Sequence, residues 1–237
     1  MERLTKAVEA PGVSRRRFLG YAGALAGAGM ITLQACKKDD DGPPVVDNGV
    51  NLGSGDVGVL NYAYALEQLE AAFYTQVIAS QFSGMTSAEV ALLTDIRDHE
   101  VAHRNFFKAA ITAAGATPIQ DLQVDFSSIN FGDRSSVLNT AKTFEDLGVA
   151  AYNGAGKLLQ NADYLTIAGK IVSVEARHAA YIRDLLSNGS FADLGSLSAF
   201  GAVDAKGLDA AQSPAQVLAA ADPFIDTKLN GSNLPTS

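Results

Sequence analysis

Apolar positions recur every three or four residues along four stretches of this chain, the spacing of helices that each bury one face. The first face runs Leu60, Tyr64, Glu67, Ala71, Tyr74 and Ile78, and Gly84 breaks the pattern. Thr86 opens the second stretch, with Glu89 three residues on completing a capping box. Its face is Leu93, Ile96, Glu100, His103, Phe107 and Ala110, and Gly115 and Pro118 end it. The third stretch starts near Ser135 or Ser136 and aligns Leu138, Ala141, Glu145, Gly148, Tyr152 and Ala155. After a turn at Asn161-Ala162-Asp163, with Asp163 as the expected cap, the fourth aligns Tyr164, Ala168, Ile171, Glu175, His178, Ile182 and Leu185. Asn188-Gly189 stops it.

These stretches predict an all-α domain over residues 56–188, built as two antiparallel helix pairs. Residues 116–133 carry no helical period. Extended, they reach about 55–60 Å, against about 42 Å for a 28-residue helix. The segment can therefore return the chain to the opposite end of a bundle. A four-helix bundle with one long crossover is the ferritin-like topology. Residues 189–237 are rich in Gly, Ser, Asp and Ala and read as an irregular wrap packing on the bundle. Within it Ser213-Pro214 opens a short helix to about Ala221, ended by Asp222-Pro223.

Charged groups interrupt every apolar stripe in the same way. They are Glu67 in the first, Glu100 and His103 in the second, Glu145 in the third, and Glu175 and His178 in the fourth. Buried unpaired carboxylates are costly, so four helices each carrying one at mid-length imply a shared cationic partner, and metal ions supply it. Glu67 and Glu100 are 33 residues apart and symmetric about the Ser83-Gly84 turn, while Glu145 and Glu175 are 30 apart and symmetric about Gln160. In an antiparallel pair, positions equidistant from the turn lie level. Each Glu-x-x-His places both groups on one side of its helix. The sum, four carboxylates and two imidazoles, is the ligand set of a two-metal carboxylate site. Glu100 and Glu175 are the expected bridging ligands, with Glu67 and Glu145 terminal. The same four carboxylates are the candidate catalytic groups, and the set suits two Fe ions, or Mn, over softer metals. Glu70 reads either as a carboxylate behind the ligands or lining a way in, or as a flank residue meeting solvent. His99 falls off the stripe and reads as a surface residue, or otherwise as a partner behind the ligands. Tyr64, Tyr74, Tyr152 and Tyr181 read first as packing groups, then as hydroxyls bonded to ligand carboxylates. Arg177, Arg183 and Asp184 are expected to face solvent.

Charge divides the chain near residue 36. Residues 1–35 hold five basic and two acidic residues, the remainder 13 basic and 24 acidic. The 16-residue run Phe18–Leu33 has the length of a secretory signal core and is short for a membrane span. Ser14-Arg15-Arg16-Arg17-Phe18-Leu19 resembles the twin-arginine export motif. Leu33-Gln34-Ala35-Cys36 resembles a bacterial lipobox, although Gln34 stands where a small or branched residue is usual. Cys36-Lys37-Lys38-Asp39-Asp40-Asp41 resembles the acidic signal that sends some lipoproteins to the cell surface. These resemblances imply a twin-arginine and lipoprotein signal at 1–35, acylation of Cys36, a flexible tether over 36–55, and an exported, membrane-anchored protein facing the periplasm or the cell surface. Its expected partners are the lipid membrane and, during export, the twin-arginine translocase. A homodimer is compatible with the architecture. A net charge of −8 and a pI of about 4.8 argue against nucleic acid as a partner. The single cysteine excludes an intramolecular disulfide scaffold and a cysteine-rich zinc site.

The stretches Tyr62-Ala63-Tyr64-Ala65-Leu66-Glu67-Gln68-Leu69-Glu70-Ala71-Ala72-Phe73-Tyr74, Gly148-Val149-Ala150-Ala151-Tyr152 and Ser213 to Ala221 resemble bacterial ferritin-like domain proteins related to plant desiccation-associated proteins. The resemblance covers roughly residues 55–225. It implies the bundle and strengthens the six ligands, without supplying a settled reaction. Oxidation of iron(II), with reduction of dioxygen or peroxide, is the first functional expectation. A non-catalytic envelope protein using metal structurally or as a sink, in stress or desiccation, is the second. A surface binding module using residues 190–237 is the third.

Overall fold

The computed structural model describes residues 49–236. The expected signal segment, the lipidation site Cys36 and the tether as far as residue 48 lie outside the described residues. Four long helices form the bundle: α1 (Gly55–Ala79), α2 (Ser87–Ala113), α3 (Arg134–Gly156) and α4 (Ala162–Leu186). α1 packs along α2 and α3 along α4, and the two pairs meet chiefly where α1 faces α3. The expected all-α, ferritin-like bundle is what the chain forms.

Local chemistry sets the helix ends. Thr86 accepts from the Glu89 amide and Glu89 returns a contact to the Thr86 amide, closing the expected capping box. α3 starts earlier than expected, because Asp133 rather than a serine is its cap and accepts from the Ser136 amide. Likewise Asn161, not Asp163, caps α4. An Asn or Asp side chain can bond an amide two or three residues on, so neighbouring candidates compete for the role. Gly84 turns the chain between α1 and α2 at φ +77°, a value that favours glycine.

The crossover behaves as its reach implied. Its backbone amides at Ile119 and Leu122 donate to the Asn61 and Gln68 side chains of α1, at 3.1 and 2.8 Å. Farther along, Phe126 and Phe131 pack on Phe73, with ring centres 5.9 and 6.0 Å away. The Ser83 amide then donates to the Gly132 carbonyl just past the C-terminus of α1. α3 thus begins where α1 ends, and the two run antiparallel. With α2, α3 and the crossover around it, α1 is buried almost continuously from Gly58 to Ala71. That explains a helix whose sequence is apolar nearly all round.

The wrap is clamped to the bundle at both ends. Val50–Asn51 (β1) pairs in parallel with Leu229–Asn230 (β2). Ordered pairing thus starts inside the range expected as tether, where two residues were too few to show a period. Pro214–Ala221 (α5) packs on α3, and the Gln212 amide donates to the Ala150 carbonyl of α3 at 3.0 Å. Gly154 permits this approach, since a Cβ there would collide with the Gln212 carbonyl. Arg183 is a correction to the sequence reading. Instead of facing solvent it is buried, with two 2.7 Å bonds to Asp146 of α3 and one of 2.9 Å to Ser196 of the wrap. Asp184 is half-buried and holds the Gly189 amide at 2.7 Å, while Arg177 is exposed as expected.

Replacing Arg183 by alanine would leave Asp146 buried without its partner. The expected loss is about 3–5 kcal/mol, read as a lower denaturant midpoint, with Asp146→Asn/Arg183→Met recovering much of it.

Candidate metal centre

α1 brings Glu67 to mid-bundle, α2 brings Glu100 and His103, α3 brings Glu145, and α4 brings Glu175 and His178. All four glutamates have no exposed surface. They converge as two groups. Glu67, Glu100, His103 and Glu175 form one, and Glu100, Glu145, Glu175 and His178 the other. Within each group, one candidate ligand atom per residue lies within 4.8 Å of the others. Glu100 and Glu175 belong to both, the positions expected to bridge.

His103 Nδ1 is 2.9 Å from Glu175, 3.4 Å from Glu100 and 3.5 Å from Glu67. His178 Nδ1 is 2.8 Å from Glu100 and 3.3 Å from Glu145. These approaches are close, yet many do not point as hydrogen bonds do. Glu67 Oε2, Glu100 Oε1, Glu145 Oε2, both Glu175 oxygens and His178 Nδ1 are buried without a hydrogen-bond partner. Each is an atom that can offer a lone pair, and all belong to the two groups. Buried polar atoms without partners are rare and need a reason. A cation between them satisfies all of them together. The residues present therefore fit metal ions of the oxygen- and imidazole-preferring class.

The tyrosines orient this set. Tyr152 of α3 donates to Glu67 Oε1 of α1 in a very short contact. Tyr74 of α1 donates to Glu145 Oε1 of α3 at 2.5 Å. In both carboxylates one oxygen is held by a phenol, and the other, Oε2, is the unpartnered one. Tyr64 lies apart, 3.5 Å from Asp121 of the crossover, and Tyr181 is 54% exposed.

The model of the ferritin-like domain family matches residues 55–188, from the first residue of α1 to just beyond α4. The chain belongs to this family. Comparison with curated proteins gave no match. In this ferritin-like domain the match covers all six converging residues and stops before the wrap.

Two residues at the edge of the site carry two readings each in sequence. Glu70 is buried and does not meet solvent. It reaches toward α3 at Gly148, where an added Cβ would lie 3.1 Å from Glu70 Oε1 and 3.5 Å from Glu175 Oε2. His99 keeps an exposed edge, but its Nδ1 is 2.9 Å from His178 Nε2 and the two rings stack 5.2 Å apart. His99 is thus at the surface, as expected, and also takes the alternative role of a partner behind a candidate ligand. For His178 Nδ1 to offer a lone pair, its proton must sit on Nε2, and His99 Nδ1 then accepts it. The helical period missed this contact because it crosses from α2 to α4.

Crowding of like charges sets the electrostatics. Burial raises Glu67 to about 7 despite its contacts with His103. Burial also raises Glu145. For Glu175 and Glu70, burial and then the neighbouring carboxylates push the values well above the usual range. Burial works against ionising Glu100 too, yet the close His103 and His178 imidazoles overcome it and hold Glu100 at about 2. Burial likewise opposes charge on the two histidines, but the surrounding carboxylates win. His103 rises to about 12 and His178 to about 11. The metal-free site therefore holds more protons than the unfolded chain at neutral pH.

The sign follows for stability. Raised carboxyls lose their advantage as pH rises above the ordinary 4.5, and raised histidines lose theirs above 6.5. The melting temperature of metal-free protein should fall from pH 5 to pH 9. Glu100 acts oppositely, but only between its folded value of about 2 and 4.5. Bound metal should raise the melting temperature most at the alkaline end and release protons to the buffer. A metal-free melting temperature that climbs across this range would refute the assignment of the extra protons.

Proposed function

We propose that this ferritin-like domain binds two iron ions, or two manganese ions, and oxidises iron(II) or reduces dioxygen or peroxide. The observation that supports the reading is the sharing of Glu100 and Glu175 between two groups of facing, unpartnered ligand atoms. Glu67 and His103 would complete one position, and Glu145 and His178 the other. With metal present the site would supply one-electron chemistry between two oxidation states. The chain supplies the rest. Tyr152 and Tyr74 fix the planes of the terminal carboxylates. The apolar walls keep bulk water out and strengthen every charge interaction inside. His103 and His178 give up protons as metal binds, limiting the change in net charge.

The second reading is a non-catalytic envelope protein that holds metal structurally or as a sink. Complete burial of all four carboxylates favours it, since turnover needs a path for reactants. Aerobic titration with iron(II) separates the two. Two ions per chain, with an oxo-bridged ferric absorption and consumption of oxygen or peroxide, support oxidation. Two ions without consumption support the second reading. Glu100→Ala should lower bound metal toward one ion or none, and Glu70→Ala should keep the stoichiometry. His99→Ala should keep two ions while weakening affinity about 10–100-fold, the usual cost of losing a ligand's hydrogen-bond partner.

We further propose an exported protein, anchored in a membrane through acylated Cys36 and facing the periplasm or the cell surface. The basic leader, the apolar run and the Leu33–Cys36 motif support this. Intact mass of the membrane fraction should show a chain beginning at lipid-modified Cys36. A soluble chain starting at Ala35 or Lys37 would overturn the anchor, and Cys36→Ser should release the protein with its bundle intact.

A further inference from the structure

We infer that a cavity at the Tyr152 end of the bundle is a binding site for a small apolar molecule the size of dioxygen, placed to feed the Glu67 side of the carboxylate cluster. The binding claim stands on the cavity alone, and only the feeding step rests on the oxidative reading above.

The cavity lies among all four helices, between the N-terminal half of α1 and the C-terminal half of α3. It offers about 30 Å³ to the centres of water-sized molecules. One water needs about 10–15 Å³ on that measure, so two or three light atoms fit. Its walls are carbon: Leu60, Ala63, Leu66, Phe107, Ala155 and Ile167. Three tyrosines also line it. The Tyr152 hydroxyl is already committed to Glu67, and the Tyr62 hydroxyl is buried without a partner. A water needs two to four polar partners, and the buried unpartnered polar side-chain atom on this lining is the single Tyr62 hydroxyl. An apolar diatomic molecule loses nothing there and leaves water to enter.

Position turns the void into a site. Tyr152 is at once a wall of the cavity and the group that holds a candidate ligand. Leu66 is a wall shared with a second, smaller void of about 10 Å³, whose other boundaries include Glu70 and Gly148. Gly148 is the point where a side chain would press on Glu175 and Glu70. Leu66 thus separates two small voids, one toward the bundle end and one against Glu70 and Gly148. Toward the opposite end of the site the space narrows, and the smaller void stops against Phe144 and Leu147. There Tyr74 stands behind Phe73, which packs on Phe144 at 5.1 Å, and Phe144 packs on Phe224 at 4.8 Å. Protein interiors are close-packed by default. Small residues at Ala63, Ala151, Ala155 and Gly156 keep this one end open.

Xenon is a suitable probe, because apolar cavities of this kind stay dry and take it up. Crystals of the purified protein under xenon pressure should show an atom beside Leu60, Ala63 and Phe107 and none at the Phe73 end. Ordered waters in the cavity, or no xenon there, would overturn the binding claim. Ala63→Leu fills the void from inside, and Ala168→Phe closes it from the half-buried rim should the first variant fold poorly. Either should abolish xenon uptake and leave metal stoichiometry unchanged. If the protein consumes oxygen, the oxygen concentration for half-maximal rate should rise about tenfold or more in the filled variants. An unchanged oxygen dependence would overturn the feeding step. A wild type that takes up xenon but consumes no oxygen would refute the oxidative reading and leave the binding site standing.

Discussion

Four glutamates on four different helices meet with no exposed surface, and that crowding of like charge is the constraint to which the rest of the bundle answers. An ionised carboxylate away from water is tolerated only beside compensating charge. The metal-free protein supplies some of it by holding His103 and His178 protonated, at about 12 and 11, and by keeping Glu175 and Glu70 protonated far above the usual range. This is a provisional balance. It leaves six buried ligand-type atoms without hydrogen-bond partners. The fold must therefore be stable enough elsewhere to hold these groups together. The buried Phe73 cluster, the capping boxes and the clamp at Arg183 are where that stability resides.

The long crossover makes the convergence possible. By running back along α1 it sets α3 antiparallel to α1, so that the middle of each helix meets the middle of the other. Each then carries a glutamate followed seven residues later by a tyrosine: Glu67 and Tyr74, Glu145 and Tyr152. Antiparallel packing lets each tyrosine reach the other helix's glutamate. The two bonds are reciprocal, and both leave Oε2 free. The two halves of the site thus repeat one pairing, and a carboxylate held in this way has its free oxygen buried among the candidate ligands.

Much of this was legible before any coordinate. Helical stripes interrupted at the same height by Glu67, Glu100, Glu145 and Glu175 imply the bundle and the site together, because a single period governs both. The seven-residue repeat of Glu and Tyr was equally visible, yet a tyrosine on an apolar face is ordinarily a packing group, and its partner lies on another helix. Arg183 was misread because its stripe position suggested solvent. Its burial comes from the wrap, whose sequence has no period that could foretell where Ser196 would land. Which of its two readings His99 takes was not legible for a related reason: position along one helix says nothing about which neighbour leans over it. The lining of the apolar cavity is spread over residues 59–168, and a missing side chain leaves no mark in a pattern of present ones.

The surroundings of the two groups of ligands are not equal. Three residues after Glu67 stands Glu70, while three residues after Glu145 stands Gly148, and the first reaches into the room the second leaves. Before Glu100 stands His99, which bonds His178, while before Glu175 stands Val174, which offers His103 no such bond. The void beside Tyr152 is about 30 Å³, while the one that stops against Phe144 on the Tyr74 side is about 10 Å³. Unequal surroundings make one ion's position distinct from the other's in charge, proton supply and access to small apolar molecules. The inequality lies in the side chains around the candidate ligands rather than in the ligands themselves.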